Sequence, residues 1–375
     1  MATDRNEQVI DNLVTELPIE DESGEKTVSF FEFWPTWLIY LPVAFQWILL
    51  AGRYRSLTLP LIANPELTVS GMVGVPKSEL MAQASEECAK SILDWKIHTV
   101  TDQSISMQTA QWLVSLKAMN IDFPFVCKPD IGCRGSGVKL IADQSQLEAV
   151  MTVYPIGATL MAQKLASWEP EVGIFFVKYP DESKGKIMSM TLKYTPYVRG
   201  DGKSTLGQLV EQDLRASQLL SIYKERHLDN WQDIIADGVS YRLVFSASHC
   251  RGAIFRDACE HITSALTTKI NSIMSGLPEF YYGRLDVKFS NLDDLKQGKN
   301  LQIIEINGAS AESIQIWDKD ATLRCAIKTL LWQYRTLFTI GSINRTRGYN
   351  PPTVSKILGL WKKEKDLVKH YPLTD

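Results

Sequence analysis

Charge of one sign is the first thing this chain lacks. Its 40 lysines and arginines stand against 43 acidic residues, a formal net charge of −3. That balance excludes a nucleic-acid binder working by bulk electrostatics. Organised cysteine is also missing. Cys88, Cys127, Cys133, Cys250, Cys259 and Cys325 form no CxxC pair and no zinc-like spacing. They read as reduced thiols of a cytoplasmic protein, not as a disulfide framework or a metal site. Cys133 sits inside a glycine loop, where it is either a small residue that fits or a reactive thiol. There is no internal repeat and no low-complexity tract. The polar, acidic residues 1–29 lack the basic stretch and cleavage pattern of a signal peptide.

An uninterrupted apolar span is absent as well. The stretch FFEFWPTWLIYLPVAFQWILLAG, residues 30–52, has Glu32 as its single charge, but Pro35 and Pro42 break it. From Trp37 to Leu50 it falls short of the ~20 residues that cross a bilayer comfortably. Trp34, Trp37, Tyr40 and Trp47 with the following Arg53 and Arg55 suit a segment at a membrane surface. A helix packed on the body or on a partner subunit, and a re-entrant hairpin, stay open beside it. If the segment spans, the arginines place the following body in the cytoplasm. In residues 354–371, Ile357, Leu358, Leu360, Trp361, Leu367 and Val368 alternate with five lysines. That describes a basic amphipathic helix, either solvated or lying on anionic lipid.

Between these ends the periodicity predicts a helix over 77–97 with Ser78 as cap. A second is expected over 104–119, with Trp112, Leu113, Leu116 and Met119 on one face. Strands are expected at 125–128, 137–142, 159–164, 172–179, 187–193, 241–246, 251–257, 285–289 and 301–306. Helices are expected at 144–151, 206–211, 258–275 and 321–337. The order describes an α+β protein with largely antiparallel pairing, not a repeated βαβ unit. The glycine-containing turn before Lys77 is a weak candidate anion site.

Two glycine loops compete for a phosphate. RGDGKSTLGQL, from Arg199, contains Gly-Lys-Ser, but a Walker A loop needs glycine at position 197, which is Tyr197. The stretch FPFVCKPDIGCRGSGVKLI, residues 123–141, has its glycines as GxxGxG and leads into a strand, so the dinucleotide fingerprint fails too. What remains is a hinged hairpin over polyphosphate. Gly132, Gly135, Ser136 and Gly137 would offer backbone N–H groups, and Lys128 a point charge. Far along the chain, YYGRLDVKF and LQIIEINGASAE place Asp286 on one expected strand and Glu305 and Asn307 on one face of the next. If those strands pair, these oxygens converge on one or two Mg²⁺ ions.

The order of these parts resembles the ATP-grasp superfamily over about residues 121–335. The likeness is strongest to its D-alanine–D-alanine ligase-like and cyanophycin-synthetase-like carboxylate–amine ligases. The resemblance implies an ATP-grasp fold, two α+β subdomains clasping ATP. Lys128 would touch the nucleotide phosphates and Gly132, Gly135, Ser136 and Gly137 would form the lid. Gln163, Lys164 and Leu165 would hold adenine and Glu171 the ribose. Asp286, Glu305 and Asn307 would ligate Mg²⁺ or Mn²⁺. Arg284 would stabilise the acyl-phosphate region, with Arg242 and Lys203 as further catalytic candidates and Arg199 and Arg251 as substrate contacts. His249 reads as structural or substrate-orienting.

The implied reaction is ATP-dependent amide formation through an acyl phosphate, with small-molecule carboxylate and amine substrates and no nucleic acid. A kinase acting on a hydroxyl, and a non-catalytic nucleotide-binding membrane module, are the alternatives. Homo-oligomerisation and a place at the cytoplasmic membrane face stay open. The chain departs from the family where a Rossmann-like N-terminal domain is usual. The expected organisation is a polar tail (1–29), an apolar segment (30–56), a short helical region (57–120), the ATP-grasp domain (121–340) and a basic tail (341–375). The usual first nucleotide lysine has only Lys90 and Lys96 as candidates.

Overall fold

Two antiparallel sheets face each other, and the chain passes between them at residues 93–95 and again at 165–170. The structure is a computed structural model describing residues 28–375 except 133, 134, 247 and 373. Most of the N-terminal tail and Cys133 therefore lie outside the described residues. The first sheet has the order β1-β4-β2-β3, from β1 (Trp95–Thr99), β2 (Phe125–Pro129), β3 (Lys139–Ile141) and β4 (Thr159–Lys164). The second has the order β11-β10-β5-β6-β9, from β5 (Glu171–Val177), β6 (Lys186–Tyr194), β9 (Ile254–Asp257), β10 (Tyr282–Phe289) and β11 (Leu301–Asn307). A small ribbon pairs β7 (Tyr197–Arg199) with β8 (Ser240–Arg242). Residues 165–170 lead from β4 into β5, and so from one sheet to the other. This is the α+β arrangement of antiparallel sheets expected from the sequence.

The second sheet shows how alternation builds a site. Along β10, Leu285, Val287 and Phe289 enter the main core together with Val172, Ile174, Phe176, Met190 and Leu192. The same core takes Leu266, Ile270, Ile273 and Met274 of the helix Ser264–Met274. The period of 2 then sends Arg284, Asp286 and Lys288 to the opposite face. A β-bulge falls in the β10–β11 pairing beside Asp286: Asp286 pairs with Glu305 and Val287 with Ile303. Ile304 is thereby left without a cross-strand partner, freeing its carbonyl.

Helices close both sheets. Numbering those used below, α1 is Thr36–Tyr54, α2 Lys77–Met81, α3 Ile105–Lys117, α4 Leu323–Thr346 and α5 Val354–Val368. The α3 helix begins where Ser104 accepts a hydrogen bond from the Met107 amide, the expected capping geometry. It buries Trp112 and Leu116 against the first sheet. The α1 helix lies along α4. Trp47 packs edge-on to Phe338 with centroids 5.2 Å apart, and Gln46 Nε2 donates to the Leu331 carbonyl at 2.8 Å. Among the described residues no helix is long and apolar enough to cross a membrane.

The structure corrects several expected elements. The helix over 77–97 is two short ones, Lys77–Met81 and Glu86–Ala89, followed by β1. Leu80, Met81, Cys88 and Ile92 give a helical period because these short pieces pack on one core. Ser85, not Ser78, caps a helix there. Ser78 instead gives its amide (2.8 Å) and hydroxyl (2.6 Å) to the Asp130 carboxylate. Strand β1 is an edge strand whose pairing with β4 is tertiary, so the first sheet draws on residues before 121. The helix expected over 258–275 starts only at Ser264, where Thr263 caps it. The one expected over 321–337 runs from Leu323, capped by Thr322, to Thr346. The strand expected over 241–246 is only Ser240–Arg242, and that over 251–257 begins beyond Gly252, whose φ is +84°.

Leu285 is fully buried among these contacts. Leu285→Ala should destabilise the protein by about 2–5 kcal/mol through lost transfer free energy and the cavity left behind. Denaturant unfolding followed by circular dichroism measures it, and an unchanged midpoint would contradict the assigned core.

Candidate functional site

The faces of the two sheets, the 165–170 connection and the start of α1 enclose a cavity of about 610 Å³. Its floor is a row of buried alternating charges. Glu171 on β5 pairs across strands with Lys193 on β6 and Lys288 on β10. Lys193 Nζ lies 2.7 Å from Glu171 and 2.9 Å from Asp286. Lys288 lies 3.3 Å from Glu171, and Arg284 Nε 2.8 Å from Asp286. Burial alone would raise the Asp286 carboxyl, but Arg284 and Lys193 outweigh it and hold it below the ordinary carboxylate range. Burial likewise opposes charge on Glu171, and Lys193 and Lys288 overcome it. For Lys193, burial favours the neutral amine while Asp286 and Glu171 raise its pKa above the usual value. Asp286, Lys193 and Glu171 stay ionised because each sits between opposite charges.

Lys128 reaches in from the facing sheet. Its Nζ donates to Gln163 Oε1 at 2.7 Å and, at 3.1 Å, to the Ile304 carbonyl freed by the bulge. Burial lowers its pKa to about 8, against the attraction of Glu305. Gln163 lines the cavity, and its Nε2 is buried without a hydrogen-bond partner among the described residues. Lys164 and Leu165 complete this wall.

The glycine loop forms the rim. Gly132, Gly135 and Ser136 line the cavity, while Gly137 is buried behind them and lies outside its wall. Gly135 and Gly137 have φ of +71° and +74°, where side chains are strained. A Cβ on Gly137 would stand 2.4 Å from the Tyr154 hydroxyl, so that position excludes larger residues twice over. The loop's carbonyls are held from behind: Tyr371 Oη donates to Ile131 at 2.6 Å and Thr374 Oγ1 to Gly135 at 2.7 Å.

Asp286, Glu305 and Asn307 come together on adjoining strands, with Asn307 Nδ2 3.3 Å from Asp286 Oδ2. Among the described residues no three His, Cys, Asp or Glu side chains form a metal-holding group. The set is two carboxylates and an amide. These hard oxygens suit a magnesium-like cation whose shell is completed by polyphosphate and water, not one caged by protein alone.

The other candidates divide. Arg242 lines the cavity and pairs with Glu169 at 2.8 Å, its Nη1 buried without a partner among the described residues. Lys203 does not reach the cavity. It belongs to an exposed turn closed by the Asp201 carboxylate, which accepts from the Lys203 and Ser204 amides, and is removed from the site. Arg199 is likewise outside the wall, whereas His249 is in it, stacked on Trp317 with centroids 4.3 Å apart. Lys90 pairs with Glu87 at 3.1 Å on the surface, and Lys96 is exposed on edge strand β1. The lysine that does enter from this region is Lys77, at the start of α2, whose Nζ donates to the Gly132 carbonyl at 3.1 Å.

Sequence reasoning missed Lys193, Lys288, Glu312, Tyr40 and Trp317. The alternation of β6 sets Lys193 on the same face as the β10 charges, a signal that the strand's own pattern carries without its partners. At the far end Glu312 accepts from the Tyr40 hydroxyl and from Trp317 Nε1 (3.3 Å), and Arg284 donates to its backbone carbonyl at 3.3 Å. Burial raises the Glu312 carboxyl to about 7. No spacing in the sequence joins Tyr40 to Glu312.

No family profile and no curated protein matches the chain. Among solved structures it is similar to the D-alanine–D-alanine ligase from Bacillus anthracis, at 14% identity and a TM-score of 0.40 over 76% of this chain and 78% of that one. It is similar to the VanG D-Ala:D-Ser ligase from Enterococcus faecalis at 10% identity and a TM-score of 0.36, covering 69% and 63% of the two chains. For the bifunctional glutathione synthetase from Pasteurella multocida the identity is 13% and the TM-score 0.36, and 70% of this chain spans 36% of that one. These are ligases of the ATP-grasp kind that the sequence resembles. Likeness at this level carries no argument about function, which rests on the cavity's own residues.

Lys128 carries an ammonium charge that it loses as pH rises through about 8. ATP or ADP affinity should therefore fall above that pH, and Lys128→Met should weaken binding at pH 7 while flattening the profile. Calorimetric titration measures both. An unaltered pH profile in the variant would remove Lys128 from the phosphate site.

Proposed function

We propose that the protein is an ATP-dependent carboxylate–amine ligase that forms an amide through an acyl phosphate, releasing ADP and phosphate. The observation that carries this reading is the cavity's polarity. Lys77 from α2 and Lys128, Lys193 and Arg284 from the two sheets line the cavity with Asp286, Glu305 and Asn307. A polyphosphate needs such convergent cations, and its transfer needs positioning and charge neutralisation more than a protein nucleophile. A divalent cation held by Asp286, Glu305 and Asn307 would neutralise phosphate oxygens as they gain charge.

Gln163, Lys164 and Leu165 would bind adenine at the connection, with the unpartnered Gln163 Nε2 as donor, and Glu171 the ribose. Lys77 and the amides of Gly132, Gly135 and Ser136 would hold phosphates at the rim. Lys128 and Lys193 would steady the transferred group. A substrate carboxylate held by Arg284 would attack the terminal phosphorus, breaking its bond to the oxygen that leaves on ADP. Nitrogen of the amine would then attack the acyl carbon, and phosphate would leave with the C–O electron pair. An ammonium ion must first lose a proton. The Glu312 carboxylate has no cationic partner among the described residues and faces Tyr40 and Trp317 in the cavity wall, which suits it to accept that proton.

Glu305→Ala should lower ATP turnover at least about a hundredfold, because losing a phosphate-side oxygen costs several kcal/mol of charge stabilisation. Phosphate release with paired carboxylates and amines measures it. ADP formation that needs no amine and leaves phosphate on a stable product would replace the ligase reading with a kinase.

Glu312 is protonated below about 7, so the amine-dependent rate should climb as pH rises through that value. Glu312→Gln should flatten the climb and raise KM for the amine, with ATP binding unchanged. A variant that keeps the wild-type pH profile would exclude Glu312 as the proton acceptor.

A further inference from the structure

Among the described residues, helix α1 packs one side on the body and leaves the other uncovered. Ile39 and Val43 are buried, and Tyr40, Gln46 and Trp47 meet α4 or the cavity wall. On the outer side, from Trp37 to Leu49, every exposed residue is apolar: Trp37, Leu38, Leu41, Ala44, Phe45, Ile48 and Leu49. Trp37, Phe45 and Ile48 are 68%, 66% and 67% exposed. Phe30 before the helix and Leu57 after it lengthen the strip. The first side-chain charges beyond it are Arg53 and Arg55, both exposed.

We infer that this face of α1 docks the protein in the plane of an anionic lipid surface. The helix does not span, because its inner side is committed to α4 and no described helix is long and apolar enough to cross. A protein partner fits less well. Non-obligate protein interfaces are about 57% apolar and homodimer interfaces about 65%, with polar rims, whereas this strip has no polar side chain over more than three turns. Acyl chains ask for no hydrogen bonds, aromatic rings settle at headgroup depth, and arginines at the helix end meet anionic headgroups. The C-terminal helix α5 exposes Val354, Leu358 and Trp361 as well. Its apolar positions are interleaved with lysines, and Glu364 bonds the Gly74 amide at the cavity edge, so α5 is not the docking face. Docking through α1 sets the Trp34 and Tyr40 end of the cavity beside the lipid surface.

Flotation of the full chain tests this independently of any catalytic reading, using phosphatidylcholine vesicles with and without an equal part of phosphatidylglycerol. The wild type should float with the mixed vesicles, and Arg53→Ala/Arg55→Ala should bind them roughly tenfold more weakly. Trp37→Ser/Phe45→Ser/Ile48→Ser should stay unbound while keeping its circular dichroism spectrum and ADP binding. Wild type that floats with neither vesicle type overturns the inference. So does a dimer in sedimentation that the serine variant converts to monomer without a change in flotation, which would assign the face to a second copy of the chain.

Discussion

Lys193 between Glu171 and Asp286 is the contact on which the site depends. Three strands supply these charges, and their ammonium and carboxylates are almost wholly out of water. A buried charge left alone would cost several kcal/mol, so every member requires the others. The row therefore fixes the register of β5, β6 and β10 as firmly as the apolar residues on their opposite face. It also keeps Glu171, Lys193 and Asp286 ionised at neutral pH.

Around that row the two sheets divide the work. The second sheet supplies the carboxylates and Arg284, and the first supplies Lys128, Gln163 and the glycine rim. The bulge beside Asp286 links them, because the carbonyl it frees at Ile304 is taken by Lys128 from across the cleft. Local irregularity in one sheet thus positions a cation of the other. Part of the remaining wall comes from Trp34 and from Tyr40 at the start of α1, whose exposed side chains from Trp37 to Leu49 are apolar. One helix thereby shapes both the deep end of the cavity and the most apolar exposed face of the molecule.

Much of this is legible in the order and spacing of residues. Alternation puts Glu305 and Asn307 on one face of their strand, and pairing with the neighbouring strand sets Asp286 opposite Glu305. Excluding Walker and dinucleotide loops points to a hairpin for residues 132–137, and a hairpin is what connects β2 to β3. Local pattern misleads where short pieces share a core. Residues 77–97 imitate one helix because Leu80, Met81, Cys88 and Ile92 all point into the same cluster. Lys203 has the look of a phosphate ligand because Gly-Lys-Ser is a local pattern, while its exposed turn is set by Asp201.

The sequence by itself determined the alternation that separates charged from apolar faces on each strand, the glycines that a left-handed loop requires, and the apolar run of α1. These follow from local geometry and residue chemistry. Only the tertiary structure decided which face of α1 is buried, that Lys77 and not Lys90 or Lys96 reaches the rim, and that Tyr40 meets Glu312 across 272 positions. Such contacts depend on how separate elements pack, and packing is a property of the whole fold that no spacing along one segment records.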